Sequence, residues 1–161
     1  MAVACAWACV SLTLAALGTG AFVDAIERRI PNACVVIVAL CALVQLALHA
    51  SGLLASTSFS GLAPDGSRLL SAAGVLGVLL AAEALWRAMR GRHGIGLGDV
   101  KLLSALALWL GPGIVAVLFL ASLAGCAVSL ACGQRTFAFG PYIALVGGAC
   151  LMLRLFAQLP W

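Results

Sequence analysis

Three stretches of this chain carry no charged residue at all: positions 1 to 23, Ala33 to Pro64, and Gly111 to Gln134. Runs of roughly 18 or more apolar residues can cross the ~30 Å hydrocarbon layer of a membrane as helices. The chain has 161 residues, 65% of them apolar and only 9% charged, and its mean hydropathy is +1.20. Soluble domains carry about 25% charged and about 45–50% apolar residues, so this chain lacks the polar surface to cover such helices in water. The expected fold is therefore all-α: an integral membrane protein, a polytopic bundle of about six transmembrane helices forming one domain over residues 1–161.

Charge and turn residues divide the bundle. A first span is expected over about residues 2–23, broken by Arg28, Arg29 and Pro31, and a second from Ala33 to His49. The polar loop Ser51 to Ser67 contains Pro64-Asp65-Gly66, a turn signal. A third span runs from Leu69 to Trp86 and leads into Arg87, Arg90, Arg92 and His93. The glycine-rich link Gly94 to Gly98 delivers Asp99 to a short fourth span, which Gly111-Pro112-Gly113 interrupts. A fifth is expected from Ile114 to Cys132 and a sixth from Gly140 to Leu155. The fourth reaches only some 20 Å at 1.5 Å per residue, so it either continues kinked through Pro112 or sits inside the bundle.

Basic residues orient the bundle. Arg28, Arg29, Arg87, Arg90, Arg92, Lys101 and Arg135 fall on one side of a six-span arrangement, and only Arg68 and Arg154 on the other. Basic residues mark the cytoplasmic side, which puts both termini outside. Two spans separate Asp24 from Asp99, so both aspartates reach the cytoplasmic face.

Several function classes drop out. No basic run with interleaved aromatics supports nucleic-acid binding. The seven cysteines form no Cys-x-x-Cys pair and all lie in apolar segments, which argues against a disulfide framework or a zinc site. They read as small apolar fillers. His49 and His93 end spans near opposite faces, so no joint metal site is expected, nor any cofactor. The first apolar run lacks a preceding Lys or Arg and is long for a signal peptide, so a retained span is expected.

Asp24 and Asp99 are two of only five acidic residues, and each stands where an apolar run meets charged sequence. An ionisable group at a membrane edge is costly and invites a functional reading. Both also have plain structural readings. Asp24 stands four residues before Arg28, the spacing of a helical ion pair. Asp99 ends Gly96-Leu97-Gly98-Asp99 at a helix start, where a carboxylate caps free N–H groups. No strand precedes these glycines, so a dinucleotide-binding loop is excluded. Glu83 stands four before Arg87 in the favourable order and reads as a structural pair. Lys101 lies about 200° round the helix from Asp99 and reads as a cation snorkelling to the headgroups.

In combination these motifs are more specific. Asp24 followed by Ile30-Pro31-Asn32, then Gly96-Leu97-Gly98-Asp99-Val100-Lys101-Leu102, resembles the type IV prepilin peptidases, membrane aspartic proteases of the Gly-x-Gly-Asp class. Phe137-Ala138-Phe139-Gly140-Pro141-Tyr142 is similar to that family's Pro-Phe-Gly-Pro segment, with Ala138 where proline is usual. The resemblance spans roughly residues 20 to 150. It implies Asp24 and Asp99 as the catalytic pair, with Gly96, Gly98, Pro31, Asn32, Gly140 and Pro141 as motif residues where substrate approaches. It further implies an endopeptidase of the bacterial inner membrane, without cofactor, whose partners are prepilin or pseudopilin precursors and the lipid bilayer. The chain starts directly with a span and has no paired Cys-x-x-Cys motifs, so it looks like the short form associated with Flp/Tad-type pili, without N-methylation.

Two other classes fit the same residues. A non-catalytic membrane component of a pilus or secretion machine would use the aspartates as caps and tolerate Asn at both. A small proton-coupled transporter would use them as a relay, and predicts matching interrupted repeats, of which none is evident.

Overall fold

The computed structural model describes residues 1–54, 66–91, 96–133 and 138–157. The expected turn at Pro64-Asp65, together with Arg92, His93, Gly94, Arg135 and Phe137, lies outside these described residues. Within them the chain forms six α-helices: α1 (Ala2–Glu27), α2 (Asn32–Ala50), α3 (Gly66–Arg90), α4 (Leu97–Leu110), α5 (Ile114–Cys132) and α6 (Gly140–Ala157). A single 3₁₀ turn, Gly111–Gly113, joins α4 to α5.

The expectation of about six transmembrane helices needs correction. Among the described residues, four stretches are long and apolar enough to cross a membrane: Ala2–Glu27, Asn32–Ala50, Gly66–Arg90 and Leu97–Cys132. Two physical features account for the difference. No charged residue falls between α4 and α5, so the two form one 36-residue apolar stretch through the 3₁₀ turn. The apolar helix Gly140–Phe156 is shorter, and at 1.5 Å per residue it falls a few ångströms below the hydrocarbon thickness. The protein is a multi-pass, all-α membrane bundle.

The short α4 sits at its centre. It packs on α2, α3, α5 and α6, and Val100, Leu102, Leu103, Ala105, Leu106, Ala107, Trp109 and Leu110 are all buried. A helix too short to span is acceptable where protein surrounds it. Lipid is as apolar as leucine, so close packing and internal hydrogen bonds, rather than escape from water, hold such helices together. Small residues serve that packing. At Gly147 of α6 an added Cβ would lie 2.9 Å from Leu106 Cδ1 and 3.7 Å from Val117 Cγ1. The Trp109 indole N–H donates to the Val38 carbonyl of α2 at 3.1 Å, and the Arg154 guanidinium of α6 donates to the Leu110 carbonyl at 2.6 Å.

Helix α3 turns the usual pattern of a soluble helix inside out. Its buried residues are Arg68 and Glu83, while Leu69, Leu70, Val78, Leu85 and Met89 are exposed. An apolar exterior with charges turned inward suits a solvent of lipid chains. The expected Glu83–Arg87 pair is present, with Arg87 Nε donating to Glu83 Oε1 at 2.7 Å. Among the cysteines, Cys9, Cys34, Cys41 and Cys150 are buried fillers, whereas Cys5, Cys126 and Cys132 lie on the exterior.

Candidate active site

Four chain segments meet at one end of the bundle: the close of α1, the elbow before α2, the start of α4 and the start of α6. Proline and backbone geometry build the elbow. Helix α1 ends at Arg28, which adopts a left-handed conformation (φ 53°, ψ 39°) and returns its N–H to the Asp24 carbonyl at 2.9 Å. Pro31 is extended (φ −60°, ψ 131°) and starts α2, as its fixed φ and missing donor favour. The chain reverses over four residues and places Ile30 between α1 and α4.

Asp24 lies in the last turn of α1 and is only 6% exposed. Its Oδ2 accepts the backbone N–H of Gly140 at 2.9 Å, across 116 positions of sequence. The donor lies in the first turn of α6, where free backbone N–H groups suit a carboxyl oxygen. Gly140 is itself buried and permits no side chain. A Cβ there would stand 2.6 Å from Asp24 Oδ2 and 2.9 Å from its Cγ. The glycine of the third motif is thus shaped around the aspartate of the first.

Asp99 is half-buried in the first turn of α4. The N-cap of that helix is Gly96, where a Cβ would approach Asp99 Oδ2 to 3.0 Å. Asp24 and Asp99 stand within electrostatic range of each other. Gly98 rests on the elbow: a Cβ there would lie 3.1 Å from Ile30 Cβ and 3.6 Å from the Ile30 nitrogen. On its other side Ile30 faces Gly20 of α1, whose Cβ would stand 3.9 Å from Ile30 Cγ2. Ile30 is therefore the wedge on which the second motif is seated.

The remaining motif residues gather here too. Asn32, the first residue of α2, accepts a hydrogen bond from Lys101 Nζ at 3.3 Å. Lys101, expected to point to the headgroups, instead ties α4 to the elbow while staying exposed. Pro141 stands half-buried at the start of α6, beside the Gly140 amide that holds Asp24. Among the described residues, no group of three or more His, Cys, Asp or Glu is arranged to hold a metal ion.

Neither the Gly140 amide as donor to Asp24 nor the wedge role of Ile30 is visible in the sequence. A backbone N–H carries no signature of its own. The motif containing Gly140 was the one available signal.

Comparison with known proteins covers the segments that carry Asp24 and Asp99, though not the one that carries Gly140. The model of the type IV leader peptidase family (Peptidase_A24) matches residues 11–130. A prepilin leader peptidase/N-methyltransferase of Burkholderia pseudomallei (strain 1026b) is 39% identical over 93 residues, covering 49% of this chain and 30% of that protein. Proteins of the same name from Aeromonas salmonicida (strain A449) and Neisseria gonorrhoeae are 32% and 34% identical, over 57% and 52% of this chain and 34% and 32% of their own lengths. The chain spans about a third of the length of these curated relatives. No solved structure matches it. With the family model covering most of its length, this chain belongs to the type IV leader peptidase family.

Proposed function

We propose that this chain is a membrane aspartic endopeptidase that removes the leader of prepilin-like precursors at the cytoplasmic face, with Asp24 and Asp99 as its catalytic pair. The observation that carries the reading is the interlock of three distant motifs around these two carboxylates: Gly140 on Asp24, Gly98 on Ile30, Lys101 on Asn32. The helix-capping alternative accounts for each aspartate separately but gives no reason for the three motifs to interlock.

Two close carboxylates hold one proton between them, because both cannot ionise easily. The ionised partner takes a proton from water as the water oxygen bonds to the scissile carbonyl carbon. The protonated partner donates to the carbonyl oxygen. Collapse of the tetrahedral intermediate breaks the C–N bond, and a proton passes to the leaving amine. The Gly140 amide fixes Asp24 through Oδ2 and leaves Oδ1 for this exchange.

Helices α2 and α3, which separate the two aspartates in sequence, are both among the four span-length stretches. This supports the reading that both aspartates reach one membrane face, which the positive-inside rule favours as the cytoplasmic one. A bacterial inner membrane follows as the location, with a precursor's basic leader on the same side.

The test is cleavage by the detergent-purified protein of a prepilin-like precursor, with the masses of both fragments determined. The reading expects one cut at the junction of leader and apolar helix. An intact precursor, or a cut that persists without both aspartates, would refute it.

A further inference from the structure

Helix α4 is held unequally at its two ends. At the end remote from Asp99, the buried Trp109 indole bonds to the Val38 carbonyl at 3.1 Å, and the buried Arg154 bonds to the Leu110 carbonyl at 2.6 Å. Gly111, just beyond, abuts Arg68, where a Cβ would lie 3.3 Å from Arg68 Cγ. These contacts are dry and close. At the Asp99 end, α4 meets the elbow through Gly98 on Ile30, and through the Lys101–Asn32 hydrogen bond at 3.3 Å between exposed side chains. Helices α2 and α4 run in parallel, tied at Asn32–Lys101 and again at Val38–Trp109. One tie is buried. The other joins two exposed side chains, where a hydrogen bond is worth little net.

We propose that Lys101 and Asn32 form a latch that holds the Asp99 end of α4 against the elbow and thereby sets the separation of Asp99 from Asp24. The two are positioning residues; neither touches the scissile bond. Helix α4 pivots on its Trp109–Arg154 end, and the latch decides how far its opposite end stands from Asp24. Asp99 lies two residues from Lys101, and Asn32 lies two residues past the wedge Ile30. Any lift at the latch therefore reaches Asp99 directly. This inference rests on the proposed peptidase reading for its catalytic consequence, but the latch can be measured without cleavage.

The first arm reads geometry. In the full chain with its seven cysteines replaced by alanine, Ala25→Cys and Leu97→Cys, both exposed, take spin labels at the ends of α1 and α4. Lys101→Met should lengthen and broaden the distance distribution between the labels, and Lys101→Arg, which keeps a donor, should not. The second arm reads catalysis. A misplacement of about 1 Å at a reacting group can cost on the order of a hundredfold in rate. Lys101→Met and Asn32→Leu should each lower kcat about tenfold with KM little changed, and the double variant should be no slower than either. Asn32→Asp, which keeps the acceptor oxygen, should retain most of the rate. Unchanged label distances in Lys101→Met would overturn the latch, as would rate losses that multiply in the double variant. A label shift in a protein that never cleaves would uphold the latch and sink the peptidase reading instead.

Discussion

Replacing Gly140 with alanine is expected to disable the site at a modest cost in stability to the bundle. The added methyl would stand 2.6 Å from Asp24 Oδ2, 2.9 Å from Cγ and 3.0 Å from Cβ. Ordinary carbon–oxygen contact begins near 3.3 Å, so the two groups must part by about 0.7 Å. Asp24 is 6% exposed and the Gly140 amide is its hydrogen-bond donor. Separation therefore both displaces the carboxylate and stretches the bond. Overpacking a tight site costs about 1–3 kcal/mol. For a chain of this size that corresponds to a fall in Tm of roughly 2–12 °C. The catalytic effect is larger, because a displacement approaching 1 Å can cost on the order of a hundredfold. Gly18→Ala is the matched control: it lies within α1, and its Cβ would meet nothing within 4 Å. It should leave cleavage unchanged and stabilise α1 by up to about 1 kcal/mol. The assay pairs precursor cleavage rates with thermal unfolding in detergent. A Gly140→Ala protein that cleaves at the rate of Gly18→Ala would refute the packing argument.

Gly98→Ala should impair cleavage less than Gly140→Ala, since its Cβ would lie 3.1 Å from Ile30 and a small shift of the wedge relieves it; initial rates of the two variants decide the order. Arg154→Met removes the buried bond to the Leu110 carbonyl and should cost about 1.5–3 kcal/mol, read as a fall in Tm of several degrees. Replacing all seven cysteines should leave cleavage intact, because none sits in the partly exposed, base-assisted setting of a nucleophile. A stably inserted cysteine-free protein that cannot cleave would count against an aspartate mechanism.

What could be read from the sequence followed from period and punctuation. Charge-free runs located the helices, Pro31 marked the start of α2, and Gly111-Pro112-Gly113 marked the 3₁₀ break between α4 and α5. The Glu83–Arg87 pair was legible because four residues make one helical turn. The number of span-length stretches was not legible, because a turn of glycine and proline alone reads the same whether it ends a span or joins two short helices. Nor was the direction of single charges. Arg68 and Arg154 served in the sequence only as markers of sidedness, yet the fold buries both at the far end of α4. Buried Thr13 and Gln45 gave no signal either. At the site, the motif residues were named in advance, but their mutual contacts were not. That Gly140 is shaped around Asp24, and that Lys101 bonds to Asn32, depends on helices meeting across 116 and 69 positions.

The central claim is that Asp24 and Asp99 act as one catalytic unit, and substitution of each carboxylate tests it most directly. Asp24→Asn and Asp99→Asn keep size and most hydrogen-bonding capacity but remove the group that exchanges a proton. Each alone should abolish leader removal, followed as the gel mobility of a co-expressed pilin precursor with membrane levels of every variant matched. The double variant should be no worse than either single one, because the two residues work together. Glu83→Gln removes a carboxylate already engaged by Arg87 and should leave processing largely intact. Normal processing by either stably inserted aspartate variant would contradict the account and favour a structural role for the pair.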